Sequence, residues 1–364
     1  MDLTALAATG LVALFLSAML AADPVVMRSF SVPAEIEEAG YSDKLIGTLL
    51  RERIRYIART ADTARGETLS AYATNQTALE TLAEQFNLDK VVDAFQEYFR
   101  LHRYSLSGYI AQTPDGLRFD LRADSAMGDR FVVEVTGHDE ERIEVLINEM
   151  AERFVARADP YVLALYYFRL EYESASFDRA IPMLEHCVQV LPVELKKWPI
   201  LVWGQALART GDHEGAMVKY REALELDPGF GFALRSWGVS LWEHGQRDAA
   251  LEKMRAAIAV PTVFPDLFDV LGNKLVEAGA DTEARDIYVA GLTRFPDHPG
   301  LLLSLGQLYL RYEQYDPAVN LLEDALLAAP DNQTIQDQLN QAMIRRAATQ
   351  HQAGSHHHTP PSAH

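Results

Sequence analysis

The carboxyl-terminal half of the sequence carries one residue pattern that recurs every 34 residues. Each copy has a glycine after a tryptophan or leucine, an alanine twelve residues later, and a proline near its end. The glycines are Gly204, Gly238, Gly272 and Gly306, and the alanines are Ala216, Ala250, Ala284 and Ala318. A fixed period of this length is typical of stacked helical hairpins, because one hairpin cannot bury its apolar face alone. The pattern predicts an α-solenoid and favours binding over catalysis.

This pattern resembles the tetratricopeptide repeat family. We predict five units over residues 159–330, then a capping helix over 331–352 and a disordered tail over 353–364; the units span 161–194, 197–230, 231–264, 265–298 and 299–332. Gly211, Gly245 and Gly279 fall at the hairpin turns, and Glu313 takes that place in the last unit. The first unit is irregular, with Phe168 where the others have the small glycine, so we expect its helices to pack less closely.

In this family the first helix of each hairpin lines a concave groove that holds a peptide. The resemblance implies a groove for a peptide or partner protein formed by Gln205, Arg209, Arg235, Val239, Trp242, Asp269, Asn273, Glu277, Gln307 and Arg311, together with Trp198, Leu201 and Leu303. Trp242 offers an aromatic anchor, and Arg235 and Asn273 offer hydrogen bonds to a peptide backbone. Alternatively, Trp198 and Trp242 only fill gaps between hairpins. A lysine and asparagine clamp for a terminal carboxylate is not evident, which disfavours chaperone tails as ligands.

Charge and motifs exclude several classes of function. The net charge is −19 and the pI is near 5.0, so nucleic acid and anionic lipid would be repelled. The single cysteine, Cys187, occupies the small-residue position of its repeat, which predicts inert packing. Motifs for a nucleophile elbow, a phosphate-binding loop or a zinc site are missing, and the acidic residues at 139–141 match a helix start. We predict no enzymatic activity, no cofactor and no metal site.

The amino-terminal segment from Leu3 to Ala22 contains no charged residue. That length spans a bilayer as a helix. A cleaved signal peptide is the competing interpretation, but a basic start is missing and Met19 and Leu20 lie where small residues are needed. We therefore interpret residues 1–23 as a transmembrane anchor, with its orientation poorly specified by the flanking charges.

The sequence pattern of residues 24–158 predicts a small α+β domain. After an extended linker with an edge strand around residues 30–32, Ser42 caps a helix whose apolar residues recur at helical spacing: Ile46, Leu49, Leu50, Ile54 and Ile57. A loop at 63–76 and a helix at 77–99 precede strands around 104–111, 117–122 and 131–135, and a helix capped by Asp139 closes the domain. The turn at residues 113–116 makes the first two strands a hairpin, so we expect a three-stranded meander under one layer of helices.

Two short segments resemble the amino-terminal domain of the TolB family of periplasmic translocation proteins: Ser107–Gly108–Tyr109 and Pro114–Asp115–Gly116–Leu117–Arg118. The whole layout also resembles uncharacterised proteobacterial membrane-anchored repeat proteins. These resemblances imply a location at the bacterial inner membrane, with the folded domains in the periplasm. The mostly α chain is thus interpreted as a membrane-anchored interaction scaffold. The alternatives are a periplasmic ligand sensor and a non-catalytic subunit of an envelope enzyme or secretion complex.

Overall fold

A computed structural model describes residues 25–61, 103–114, 116–126, 128–137 and 143–355. The segment at 3–22, the predicted loop at 63–76 and helix at 77–99, the predicted cap at Asp139, and residues 356–364 lie outside them. The described residues divide into two compact units, one ending at Thr210 and the other beginning at Gly211. In the described part of the chain, no helix combines the length and apolar character needed to cross a bilayer.

The first unit combines a sheet with helices. In chain order its elements are β1 (Val25–Ser31), α1 (Ala34–Glu38), α2 (Asp43–Ala61), β2 (Tyr104–Thr113), β3 (Gly116–Ser125), β4 (Arg130–Gly137), α3 (Ile143–Ala158), α4 (Pro160–Glu171), α5 (Ala180–Val190) and α6 (Val193–Thr210).

The sheet has four strands in the order β1-β2-β3-β4 among the described residues. The predicted hairpin and third strand are confirmed: β2, β3 and β4 are antiparallel neighbours, and Thr113 pairs with Gly116 at the turn. Gly116 has φ 120°, a value that favours glycine. The three-stranded meander is incomplete, because β1 is a fourth strand that pairs in parallel with β2. The edge strand expected around residues 30–32 overlaps the end of β1, which also occupies most of the expected linker. The partner of β1 lies far along the chain, so no local pattern indicates it.

Helices α2 and α3 cover one face of the sheet. Ile46, Leu50, Ile54 and Ile57 of α2 are buried as predicted, but Leu49 is only partly buried. From the sheet, the same core contains Leu106, Ile110, Phe119, Leu121, Val133 and Val135, and from α3 it contains Leu146, Met150 and Phe154. Gly108 permits this packing, because a Cβ there would lie 2.6 Å from the Asp120 carbonyl oxygen and 2.9 Å from the Phe30 ring.

The first helical hairpin belongs to this unit, whereas we expected a domain boundary near residue 158. Helix α4 contacts both α2 and α3, and residues 160–168 are all buried. Glu152 of α3 accepts a hydrogen bond from the Tyr167 hydroxyl at 2.9 Å and from Arg179 at 2.5 Å. Arg53 of α2 donates to the Tyr166 hydroxyl at 2.8 Å. These contacts continue the sheet domain's core into the first repeat.

The second unit is entirely helical in its described part. Its elements are α7 (His213–Leu226), α8 (Gly231–Glu243), α9 (Arg247–Ile258), α10 (Pro265–Glu277), α11 (Asp281–Arg294), α12 (Pro299–Arg311), α13 (Tyr315–Ala328) and α14 (Gln333–Ser355). Pairs α8/α9, α10/α11 and α12/α13 match the hairpins predicted from residues 231, 265 and 299. The turn residues Gly245, Gly279 and Glu313 all have positive φ, of 77°, 78° and 57°.

The small residues on the first helices lie where the two helices of a hairpin meet. A Cβ built on Gly272 would be 2.3 Å from the Tyr288 ring, and one on Gly238 would be 2.7 Å from the Met254 side chain. At Gly306 the nearest atom, in Leu322, would be 3.1 Å away. The periodic glycines therefore give Tyr288 and its equivalents room to pack. In the first unit Cys187 is fully buried, as the packing interpretation predicts.

The capping helix α14 buries a narrower stripe than expected. The apolar pattern of this segment predicts one packed face formed by Ile335, Leu339, Ala342 and Met343. The first three are buried, but Met343 is 43% exposed, so its assignment to that face is wrong. At 100° per residue, Ala342 lies almost directly above Ile335, whereas Met343 is rotated to the edge of the stripe.

Candidate partner-binding face of the second unit

The first helices of successive hairpins contact one another in the second unit. Helix α8 contacts α10, α10 contacts α12, and α12 contacts α14. They therefore line one continuous face, which we call the inner face. Nine of the predicted groove residues lie on its three hairpin helices: Arg235, Val239, Trp242, Asp269, Asn273, Glu277, Leu303, Gln307 and Arg311.

Gln205 and Arg209 lie on α6 in the first unit. Arg209 donates from Nε to the Tyr172 carbonyl oxygen at 3.4 Å, and its guanidinium lies 4.9 Å from the Tyr172 ring centroid. Gln205 is half-buried. These two residues therefore belong to the first unit, as do Trp198 and Leu201 on the same helix, and they are not part of the inner face.

Trp242 is held between neighbouring hairpins. It is only 8% exposed, and its Nε1 donates to the Glu277 carboxylate at 2.9 Å. Arg247 and Lys274 lie 5.0 and 5.4 Å from its ring, and Lys274 also donates to Glu277 at 2.7 Å. This burial agrees with a residue that fills space between hairpins, while the role of Trp242 as a partner anchor stays a prediction. Glu277 remains exposed beside it.

A second polar bridge joins α10 to α12. The Ser304 hydroxyl donates to Asp269 at 2.6 Å, and the Tyr288 hydroxyl donates to the Asn273 side-chain oxygen at 2.7 Å. Burial raises the pKa of Asp269 above its ordinary value, and the hydrogen bond from Ser304 opposes this shift only in part. Burial also raises the pKa of Tyr288, which stays protonated. The exposed Asn273 side chain also hydrogen-bonds Asp269, which lowers the pKa of that carboxyl and leaves one amide hydrogen for a partner.

Arg235 is the inner-face cation without an ion-pair partner in the described residues. Its Nε is buried and has no hydrogen-bond acceptor there, although the side chain as a whole is only partly buried. Arg311, by contrast, pairs with Asp281 at 3.4 Å, and Tyr312 also donates to that carboxylate. The Nε–H itself is out of a partner's reach, but the rest of the guanidinium is not buried and can donate to a partner's acceptor, and hydrogen bonds to charged groups contribute about 1.5–3 kcal/mol.

Sequence reasoning missed the residues that fix this face. Ser304 and Lys274 orient predicted residues but were assigned to no role, and Tyr288 was recognised only as a member of the repeat pattern. The sequence signal for Ser304 was a small polar residue on a first helix, at the repeat position that Ser236 occupies on α8. Val239 lies half-buried against the apolar core, and Gln307 is exposed.

Comparisons with known proteins agree with this architecture. Residues 275–341 match the tetratricopeptide repeat family, which supports the resemblance for the last hairpins and the capping helix. No curated protein sequence matches the chain. None of these findings bears on the resemblance to TolB, which stays a prediction.

Several solved structures are similar over about half of the chain. They include the Cut9–Hcn1 hetero-tetramer of APC/C (20% identity, 54% of this chain and 39% of that one, TM-score 0.41). TTC0263, a thermophilic repeat protein of Thermus thermophilus, is 17% identical over 50% of this chain and 99% of that one, with a TM-score of 0.39. YrrB, described as a repeat protein with an unusual peptide-binding site, is 19% identical over 48% and 90%, with a TM-score of 0.34. The chain thus spans well under two thirds of the first of these structures.

Proposed function

We propose that the protein is a binding scaffold whose inner face captures a peptide or a partner protein, without catalytic activity of its own. The apolar segment at residues 3–22 would tether this face to the bacterial inner membrane, with both units in the periplasm. Tethering raises the local concentration of whatever the face captures.

The unpaired Arg235 carries the proposal. Arg311 and Lys274 already have carboxylate partners within the described residues, whereas Arg235 has none. Exposed Asn273 and Gln307 add amide groups on the neighbouring helices. A partner that presents backbone carbonyls or a carboxylate to this row would satisfy Arg235 and pair with the amides.

Site-specific photocross-linking in cells tests the inner face. A photoreactive residue at Asn273 should capture a discrete partner, and the same residue at Arg285 on the second helix α11 should not. Arg235→Glu should weaken capture about tenfold or more, since hydrogen bonds to charged groups contribute about 1.5–3 kcal/mol. Arg221→Glu, an exposed site on the second helix α7, makes the same charge change and should leave capture intact. Equal loss from both variants would argue against the inner face.

A separate experiment tests the location. A reporter that is active only in the periplasm, fused after His364, should give signal in cells. Silence from this fusion, together with signal from a cytoplasmic reporter at the same position, would reverse the proposed orientation while leaving the inner-face proposal standing.

A further inference from the structure

Strand β4 is an edge of the four-stranded sheet. It pairs with β3 on one side, and no described strand lies on the other. Its side chains alternate: Phe131, Val133 and Val135 face the helices, while Arg130, Val132 and Glu134 face outward. A free edge presents unpaired backbone donors and acceptors, so it can accept another strand.

The outward row has an unusual composition for an edge. Val132 is 66% exposed, and it lies between two charges of opposite sign, each two residues away. The side chains of Arg130 and Glu134 are 72% and 48% exposed. Charges of one sign would repel a second copy of the strand, which is how many edges are protected. Opposite signs placed symmetrically around an apolar residue have the reverse effect.

We infer that β4 pairs with β4 of a second copy of this chain, antiparallel, about a two-fold axis at Val132. This register places Val132 opposite its own equivalent and Arg130 opposite Glu134 on both sides of the axis. On the inner side it places Phe131 opposite Val133, an aromatic and β-branched pair of the kind that stabilises antiparallel sheets. The interface is isologous, so each favourable pair occurs twice.

Neighbouring registers lack this complementarity. An axis at Val133 sets Val132 against Glu134, and an axis at Phe131 sets Arg130 against Val132. An axis at Glu134 brings two carboxylates together, which is destabilising. Only the axis at Val132 satisfies both charges.

Ion pairs within each copy extend the complementarity across the interface. Arg130 lies 3.0 Å from Asp124 of β3, and Glu134 lies 3.3 Å from Arg118. In the paired sheets the directly opposed outer-face residues would be Asp124, Arg130, Glu134 and Asp120, the last two from the other copy. Arg118 contacts both Asp120 and Glu134, so it bridges those two carboxylates. The new contact across the axis therefore joins opposite charges, and the two carboxylates that are neighbours within each copy share Arg118. The result is a continuous eight-stranded sheet built from two copies of the chain.

Disulfide trapping tests the register. Cys187 is buried and is the chain's only cysteine, so Val132→Cys introduces a single accessible thiol. Opposed residues of an antiparallel pair have Cα atoms about 4.5–5.5 Å apart, which suits a disulfide. Under mild oxidation the full-length Val132→Cys chain should form a covalent dimer rapidly, whereas Thr136→Cys, on the same exposed row, should not. Absence of a Val132→Cys dimer, or equal rates for the two variants, would overturn the inference.

Charge reversal tests it in solution. Sedimentation of the full-length chain should show a monomer–dimer equilibrium. Arg130→Glu and Glu134→Arg should each weaken the dimer at least several-fold, because each places like charges opposite one another. The double variant restores opposite charges across the axis but not the pairs within each copy, so recovery of the dimer identifies the contact between copies. A wild-type chain that sediments only as a monomer, or a double variant weaker than both single variants, would refute the pairing.

Discussion

The first hairpin, α4/α5, and the hairpin α10/α11 share one repeat pattern but have different surroundings. Helix α4 is buried through residues 160–168, because it packs on α2 and α3 as well as within its own hairpin. Helix α10 buries only one stripe, at Leu267, Phe268, Leu271, Gly272 and Leu275, and exposes the opposite side. A helix that is apolar all round joins cores, whereas an amphipathic one can present a binding face.

The contrast shows how the same motif serves two purposes. Phe168 occupies the glycine position in the first hairpin and stacks on Phe177, with ring centroids 5.2 Å apart. Phe177 lies in the loop between the helices and has φ 52°. In α10/α11 the large residue is on the second helix instead, where Tyr288 packs against Gly272. The large aromatic side chain thus lies on the first helix in α4/α5 and on the second helix in α10/α11. The first hairpin packs against the helices that cover the sheet.

The largest loss of stability is expected from removing the Phe168 ring. Phe168→Ala should destabilise the first unit by about 3–5 kcal/mol, because the sheet-side core cannot close around the space left by the ring. Leu170→Ala is the control on the same helix, since Leu170 is exposed. Hydrogen exchange of amides in α4 and α5 would measure the loss. If Phe168→Ala costs no more than Leu170→Ala, the first hairpin is an ordinary repeat and the comparison fails.

Adding a methyl group to the regular hairpins should have a graded effect. Gly272→Ala should cost about 1–3 kcal/mol, since its Cβ would meet the Tyr288 ring at 2.3 Å. Gly238→Ala should cost less, and Gly306→Ala should be near neutral, because its closest approach is 3.1 Å and alanine favours a helix by about 1 kcal/mol. Urea unfolding of the three variants gives the ranking. A reversed order would mean that these contacts do not control hairpin packing.

Local patterns predicted the hairpins well, because helix contacts within one repeat are close in sequence. The turns at Gly245, Gly279 and Glu313 and the close approach at Gly272 follow directly from the period of the pattern. The pairing of β1 with β2 could not be predicted, since it joins Val25 to Tyr104 across a long stretch of chain.

The inner face was predictable only as a set of positions. The period places Asp269 and Trp242 on first helices, but it does not say which side chains they contact. Those contacts, with Ser304 and Glu277, cross from one repeat to the next and depend on how closely successive hairpins stack. Residues that looked available for a partner are therefore partly engaged within the protein, and Arg235 stands out only once the structure shows its neighbours.

The turns offer a smaller and reciprocal test. Gly279 and Glu313 occupy equivalent turns with positive φ, a region that costs a residue with a side chain about 1–2 kcal/mol. Gly279→Ala should therefore destabilise the second unit by about 1 kcal/mol, and Glu313→Gly should stabilise it by a similar or smaller amount. Thermal unfolding of both variants checks the signs. Shifts of the same sign would show that turn conformation does not distinguish the two hairpins.

The smallest change in stability is expected at the hydrogen bond between Asp269 of α10 and Ser304 of α12, and this change depends on pH. Burial raises the folded-state pKa of Asp269, so the folded protein binds this proton more tightly than the unfolded chain does. Wild-type stability should accordingly fall as the pH rises from the unfolded pKa of about 3.9 through the raised folded value. Asp269→Asn removes the charge and keeps an oxygen that accepts from Ser304. The variant should gain stability relative to wild type over this interval, by less than about 1 kcal/mol at neutral pH, since the carboxylate is only partly buried.

Urea unfolding of wild type and Asp269→Asn across that range of pH measures the difference. Asp324→Asn is the control, because it replaces a solvent-exposed carboxylate on α13. Its difference in unfolding free energy from wild type should vary little with pH. If Asp269→Asn instead becomes less stable than wild type as the pH rises, the ionised Asp269 carboxylate stabilises the bridge to Ser304. The inner face would then contain a second preorganised charge beside Arg235, and a partner would have to accommodate an acid and a base on adjacent helices.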